Sequence, residues 1–227
     1  MKILIGILGS HSQPEAMQAQ RETWLSDPMI TETEGIHYRY ALGHPGHSFE
    51  PSDDCLHYGF PDGPIYERHS GGPRTWVLNH KVYALACYAL ENDYDFLFKC
   101  DDDTYARPRH LLMSGFEDHD YSGLTDRHYA ADIGFYKWCQ GGAGYWLSRD
   151  ALKVVVRDGI SCVKGAEDFA VGQTLARAHV EATHDERYIA EPSAEDLYRA
   201  SERIPDWITL HKVGPKEMRA LHASIRD

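Results

Sequence analysis

The sequence predicts one α/β domain built on an open, doubly wound sheet, and three observations carry that expectation. The apolar run Phe96-Leu-Phe98 marks a buried strand that delivers three consecutive carboxylates, Asp101, Asp102 and Asp103, to its carboxyl end. The stretch from Arg74 to Asn92 reads as a helix, with Leu78, Val82, Leu85 and Ala89 on one stripe and Lys81 beside it, and it feeds straight into that strand. Strand, helix, strand is the right-handed crossover unit of such sheets, whose ligands gather outside the strands' carboxyl ends. At 227 residues the chain suits one large domain or two small ones, and one is the expectation.

The remaining elements follow in order. Lys2 to Leu8 reads as a buried first strand, turned by Gly9-Ser-His-Ser12. Pro14 suits the first turn of a helix that carries Met17, Arg21, Trp24 and Leu25 at helical spacing. Arg21 either meets a diphosphate near the first strand's end or pairs with an acid close to Glu22. Ile36 to Leu42 alternates like a second strand and ends at Gly43-His-Pro-Gly46. Residues 48–73 are rich in Gly, Pro, Asp and Ser, a loop-heavy connection with one candidate short strand at Cys55–Phe60.

Beyond the carboxylates, Pro108 starts a short helix with Leu111, Leu112 and Met113, and Tyr121–Leu124 and Tyr129–Trp138 read as further strands. The glycines Gly141, Gly142 and Gly144 precede a strand-like Tyr145-Trp-Leu147, and Ser148 caps the next helix. Those glycines form a tight hairpin or let a ligand approach the backbone. Glu167 to Arg177 reads as a helix with two acids in its first turn, favoured by the helix dipole or presented as a base at a pocket mouth. Trp207 to Val213 alternates, placing Ile208 and Leu210 on one face and Thr209 and His211 on the other. Glu217 to Ile225 closes the chain as an amphipathic helix with Met218, Leu221 and Ile225 inward.

Along an extended strand Asp101 and Asp103 share a face while Asp102 points the other way. Like charges about 4 Å apart repel by roughly 4 kcal/mol at an effective dielectric near 20. The triplet therefore binds a divalent ion, raises a pKa, or is a solvated acidic turn. Oxygen ligands favour Mg²⁺ or Mn²⁺. An EF-hand is excluded, because its loop needs Gly at the sixth position and Glu at the twelfth, where this chain has Ala106 and Leu112.

The formal charge of −12 and pI near 5.5 exclude the basic footprint of a nucleic-acid or anionic-membrane surface. Five cysteines without a close pair fit neither a zinc site nor a full disulfide framework, and point to a reducing cytoplasm, with a Cys139–Cys162 bridge as the alternative. Ile3 to Gly9 is too short to span a bilayer and lacks a signal-peptide cleavage site.

Five segments in this order, Arg21-Glu-Thr-Trp24, Phe98-Lys-Cys-Asp-Asp-Asp-Thr-Tyr105, Gly141-Gly-Ala-Gly-Tyr-Trp-Leu-Ser148, Glu167-Asp168 and Thr209-Leu-His-Lys-Val-Gly-Pro-Lys-Glu-Met218, resemble the β1,3-glycosyltransferases typified by Fringe and the core 1 β1,3-galactosyltransferase. The likeness runs from the first strand to the last helix. It implies a GT-A fold, a Rossmann-like mixed sheet flanked by helices, in a single domain over 1–227, with about 1–105 binding a UDP-sugar and 106–227 the acceptor. It also implies Mn²⁺, with Mg²⁺ as substitute, and inversion at the anomeric carbon. On this resemblance Asp103 and His211 hold the metal with Asp101 beside them, and Asp101 and Asp102 support the nucleotide and sugar. Asp168 is the base, with Glu167 next to it. Arg21 and Lys81 add positive charge near the donor, unless they are a paired and a solvated surface residue. Trp138, Gly142, Trp146 and Glu167 stand on the acceptor side, although core packing explains either Trp equally.

The expected activity is transfer of galactose or an N-acetylhexosamine from a UDP-sugar to a hydroxyl of a glycan or glycoconjugate, forming a β1,3 linkage. The chain lacks the membrane anchor, stem and disulfide framework of the animal enzymes, so a cytoplasmic enzyme of a bacterium or virus is expected. Two other classes compete: a silent carbohydrate-binding module on the same fold, and a metal-dependent phosphohydrolase or nucleotidyltransferase.

Overall fold

A computed structural model of the chain describes residues 1–44, 52–61, 75–160, 166–191 and 206–225. Strand β1 (Ile3–Leu8) is buried along its whole length. Helix α1 (Pro14–Glu22) stops where the Thr23 hydroxyl donates to the Ala19 carbonyl at 2.6 Å, so Trp24 and Leu25 lie in a 3₁₀ turn and not on the expected longer helix. A single turn, α2 (Pro28–Thr31), follows, capped by the Asp27 carboxylate. Then come β2 (Ile36–His44), β3 (Cys55–Pro61), α3 (Thr75–Glu91) and β4 (Phe96–Asp101). The rest of the loop-heavy connection, 45–51 and 62–74, lies outside the described residues.

The second half holds β5 (Tyr105–Ala106), α4 (Pro108–Leu112), β6 (Tyr121–Gly123), β7 (Thr125–Ala130), β8 (Gly134–Cys139) and β9 (Tyr145–Ser148). Next are α5 (Arg149–Asp158), α6 (Glu167–Arg177), β10 (Thr183–His184), β11 (Tyr188–Ile189), β12 (Thr209–Leu210) and α7 (Pro215–Ser224).

Seven strands form the main sheet in the order β10-β6-β9-β4-β1-β2-β3, all parallel except β9, which runs against both neighbours. The alternation of β1 decides the layering: Ile3, Ile5 and Ile7 enter a core shared with Trp24, Met218 and Leu221. Leu4 and Leu8 enter a second core, with Val82, Leu85, Ala151, Leu152, Val171 and Leu175. Helices therefore cover both faces, as an open sheet requires when its strands are buried on two sides.

Two further expectations change. The strand expected over Tyr129–Trp138 spans the end of β7, the turn and most of β8 of an antiparallel hairpin, turned between Ala130 and Gly134, where Gly134 takes φ 77°. The alternating Trp207–Val213 stretch pairs only at Thr209 and Leu210, because the chain bends at His211 and Lys212 takes φ 61°. Strand β12 joins a small sheet, β11-β12-β5, that lies beyond the carboxyl end of β4. Among the described residues Cys55, Cys87, Cys100 and Cys139 form no disulfide with one another, and Cys162, the other half of the alternative Cys139–Cys162 bridge, lies outside them. Among the described residues no helix is long and apolar enough to cross a membrane.

Candidate metal and sugar-transfer site

Strand β4 ends at Asp101, and the next two carboxylates occupy a turn closed by the Thr104 N–H donating to the Asp101 carbonyl at 3.1 Å. Two side chains from the first segment pin that turn. Gln20 Nε2 and Trp24 Nε1 both donate to the Thr104 carbonyl, at 2.8 and 3.1 Å. The Thr104 hydroxyl reaches the Gly142 carbonyl at 2.6 Å, joining the acidic turn to the glycine turn.

His211 arrives from the far end of the chain because β12 pairs antiparallel with β5, directly after the acidic turn. Its Nε2 lies 3.2 Å from Asp103 Oδ1 and 3.8 Å from Asp101 Oδ2. Its Nδ1 lies 2.9 Å from the Ala190 carbonyl, and a proton donated there leaves the Nε2 lone pair facing the carboxylates. Ligand atoms of Asp101, Asp103 and His211 all fall within 4.8 Å of one another.

This donor set fits a divalent ion of the Mn²⁺ type: carboxylates suit Mg²⁺, Ca²⁺ and Mn²⁺, while an imidazole draws the preference away from the first two. The glycine turn is shaped around the ring, since a Cβ at Gly142 would collide with the His211 imidazole. Burial works against a charged His211, but the hydrogen bond to Asp103 and the charges of Asp101 and Asp103 outweigh it and raise its pKa.

Behind these ligands lies a buried ion network. Lys99 and Asp101 share a face of β4, and the Lys99 ammonium contacts Asp101 Oδ1 at 2.8 Å, Glu167 Oε2 at 3.0 Å and the Gly141 carbonyl at 3.1 Å. The other Glu167 oxygen accepts from the Tyr145 hydroxyl. Burial and the charges of Asp168 and Asp101 push the Glu167 carboxyl up to about 7 against the pull of Lys99. Asp168 accepts from the Gly141 N–H at 3.0 Å and from the Phe169 N–H at 2.9 Å, and burial raises its pKa against those bonds.

Asp102 is 3% exposed, its Oδ2 has no hydrogen-bond partner among the described residues, and burial together with Asp103 and Asp101 drives its pKa well up. Lys81 is buried, not solvated; it donates to the Gly9 carbonyl at 2.6 Å, and its charge acts on both Asp102 and Asp101.

Other candidate residues make their contacts away from the Asp101–Asp103–His211 corner itself. Arg21 makes a two-point pair with Asp54, at 2.6 and 3.2 Å, and lies over the Tyr40 ring. Trp146 is fully buried, stacked on Phe116 at 3.7 Å with its N–H on Tyr188, so no ring face is left for a sugar and the core-packing alternative describes it. Glu167 is likewise enclosed, its two oxygens held by Lys99 and Tyr145. Trp138 packs at a 30° tilt against Phe169, ring centroids 4.0 Å apart, next to Asp168 in sequence, and its N–H is buried without a partner among the described residues. Sequence reasoning gave no role to Lys99, Thr104 or Tyr145. The signal available for Lys99 was a cation inside an apolar strand, two residues before Asp101.

No family model matches the chain. Among solved structures it is similar to the crystal structure of a glycosyltransferase involved in the glycosylation of the major capsid of PBCV-1, with TM-score 0.54 and 12% identity over 98% of this chain and 100% of that one. The fold is GT-A. A protein described as a nucleotide-diphospho-sugar transferase from Desulfovibrio desulfuricans G20 aligns at TM-score 0.46 and 12% identity, covering 82% of this chain and 80% of that one. In this GT-A chain the acidic turn sits at the carboxyl end of β4, beside β1, where open α/β sheets receive ligands.

Proposed function

We propose that the chain is an inverting, metal-dependent glycosyltransferase, moving galactose or an N-acetylhexosamine from a UDP-sugar to a carbohydrate hydroxyl to form a β1,3 linkage, as the Fringe-like resemblance implies. The observation that carries this reading is the convergence of Asp101, Asp103 and His211 at the end of β4, with Asp168 tied to the adjoining glycine turn. The similar capsid glycosyltransferase of PBCV-1 supports the class of reaction.

Asp103, His211 and Asp101 would hold Mn²⁺, or Mg²⁺ in its place, whose charge neutralises the departing diphosphate. Asp102 offers its unpartnered oxygen to a hydroxyl of the donor, and the buried charge of Lys81 stands behind it. Asp168, its pKa raised by burial, removes the proton of the acceptor hydroxyl as the new bond forms. One displacement from the face opposite the leaving group inverts the anomeric carbon, through a sugar ring with partial positive charge. Trp138 and Phe169 form the acceptor wall next to that base, and Gly142 shapes the cation side. Arg21 braces the first helix on Asp54. Cys100 and Cys139, buried and in no disulfide among the described residues, support a reducing compartment such as a bacterial or virus-infected cytoplasm.

UDP and Mn²⁺ together are expected to raise the melting temperature, and Asp168→Asn to keep that shift while losing transfer by at least about 100-fold. UDP release from the donor should depend on the acceptor glycan. Release at the same rate without acceptor would favour a phosphohydrolase, and no thermal shift with UDP and Mn²⁺ would remove the donor assignment.

A further inference from the structure

Lys99 is 1% exposed, and its three ammonium protons are matched by three acceptors: Asp101 Oδ1, Glu167 Oε2 and the Gly141 carbonyl. Enclosing a cation costs several kcal/mol, at about the scale expected for a desolvated ion, and a well-packed apolar side chain commonly replaces such a pair without loss of stability. Fold stability alone therefore gives little reason for a lysine on a strand whose same-face neighbour is Leu97.

Its partners supply another reason. With Asp101 Oδ1 held by Lys99, Oδ2 is the oxygen turned toward His211, so the lysine selects which oxygen faces the cation corner. On the other side, the Gly141 peptide receives Lys99 on its carbonyl and holds Asp168 through its N–H. That peptide can pass between them because it has no side chain: a Cβ at Gly141 would lie 2.6 Å from Glu167 Oε2 and 3.0 Å from Lys99 Nζ.

We propose that Lys99 is a positioning residue that joins the metal-side carboxylate Asp101 to the Gly141 peptide carrying Asp168, so that the cation corner and the base are set as one unit. The proposal rests on the transferase reading above. Asp101 first and Glu167 second keep the ammonium ionised in its enclosed position, and Tyr145 fixes the remaining Glu167 oxygen.

The test uses the full chain with the double substitution Lys99→Met/Glu167→Gln. Measured above pH 7, where Glu167 has released its proton, it removes one positive and one negative charge, so the local charge is unchanged and any effect on cation binding reports orientation. The expected variant folds with a cooperative melt, binds Mn²⁺ alone about 10-fold more weakly by electron paramagnetic resonance titration, as for loss of an outer-shell partner. Its kcat falls about 100-fold, the scale of a base misplaced by an ångström, while donor KM moves less than about 3-fold. A folded variant with wild-type Mn²⁺ affinity and wild-type kcat overturns the proposal. Should the double variant not fold, Lys99→Arg carries the test: its planar head keeps the charge but cannot meet the same three acceptors. The same losses in a folded Lys99→Arg support the clamp, and wild-type values overturn it. Failure of the wild-type chain to bind UDP with Mn²⁺ defeats the transferase reading instead, and is seen before any variant is made.

Discussion

Glu167 shows how enclosure changes what a carboxylate does at a given pH. Its folded pKa, pushed up to about 7 by burial and by the neighbouring Asp168 and Asp101, stands above its ordinary value of 4.5. Below about pH 4.5 the group holds its proton in both folded and unfolded chains and costs nothing. Between about 4.5 and 7 the unfolded chain has released a proton that the folded one keeps, so stability falls as pH rises, and above 7 the loss is complete. Glutamine at this position has no proton to release. The melting temperature of Glu167→Gln minus that of wild type should therefore grow by a few degrees across this window and then level off. A difference that stays flat or shrinks in calorimetry at a series of pH values would mean Lys99 keeps Glu167 ionised throughout. At this scale the residues legible in the sequence were those whose chemistry is unusual by type: three adjacent aspartates, and a histidine on the polar side of a strand. The enclosure of Glu167 was not legible, because this first residue of α6 takes its partners from two distant strands, Lys99 on β4 and Tyr145 on β9.

The helix that presents Asp168 is placed by one close approach. A Cβ at Gly172 would overlap the Trp138 Cβ and lie 3.0 Å from the Trp138 Cα, so α6 rests against the backbone of β8. Two effects oppose each other in Gly172→Ala. Alanine gains about 1 kcal/mol of helix propensity over glycine, whereas overpacking a filled site costs about 1–3 kcal/mol, and more when the obstacle is main chain that cannot turn aside. Overpacking should win, with a drop in melting temperature of several degrees and weaker transfer as Asp168 shifts with its helix. A higher melting temperature would show that α6 and β8 stand further apart. Long elements such as α3 and the β1–β4 pair were readable because several turns or alternations repeat the same signal. Two-residue strands such as β5 and β12 repeat nothing; they pair beside the glycine turn, which the Thr104 hydroxyl reaches from the acidic turn and the Thr209 hydroxyl from β12. The β7–β8 hairpin was read as plain strand because its turn, Ala131-Asp-Ile133, carries no Asn-Gly or Asp-Gly signature.

Over the whole molecule, 35 acidic against 23 basic side chains give a net charge of −12, while the proposed donor is itself an anion. Among the described residues, Lys81 and Lys99 beside the site are buried and matched to carbonyls and carboxylates, and Lys212, next to His211, is paired with Glu191, so none of these reverses the field met by a ligand approaching from solvent. That field reaches about 30 Å at 0.01 M salt and about 8 Å at 0.15 M. Adding salt should therefore relieve repulsion, and the association rate of UDP with the Mn²⁺-saturated protein should rise several-fold over that range, opposite to the decline shown by proteins that attract their ligand electrostatically. Association of Mn²⁺ alone should change in the other direction, because the same field draws a cation toward Asp101 and Asp103. Stopped-flow fluorescence from the five tryptophans can follow both steps on one sample. A UDP rate that falls with salt would place an uncompensated cation at the mouth of the site, and would move the donor path away from the carboxyl end of β4.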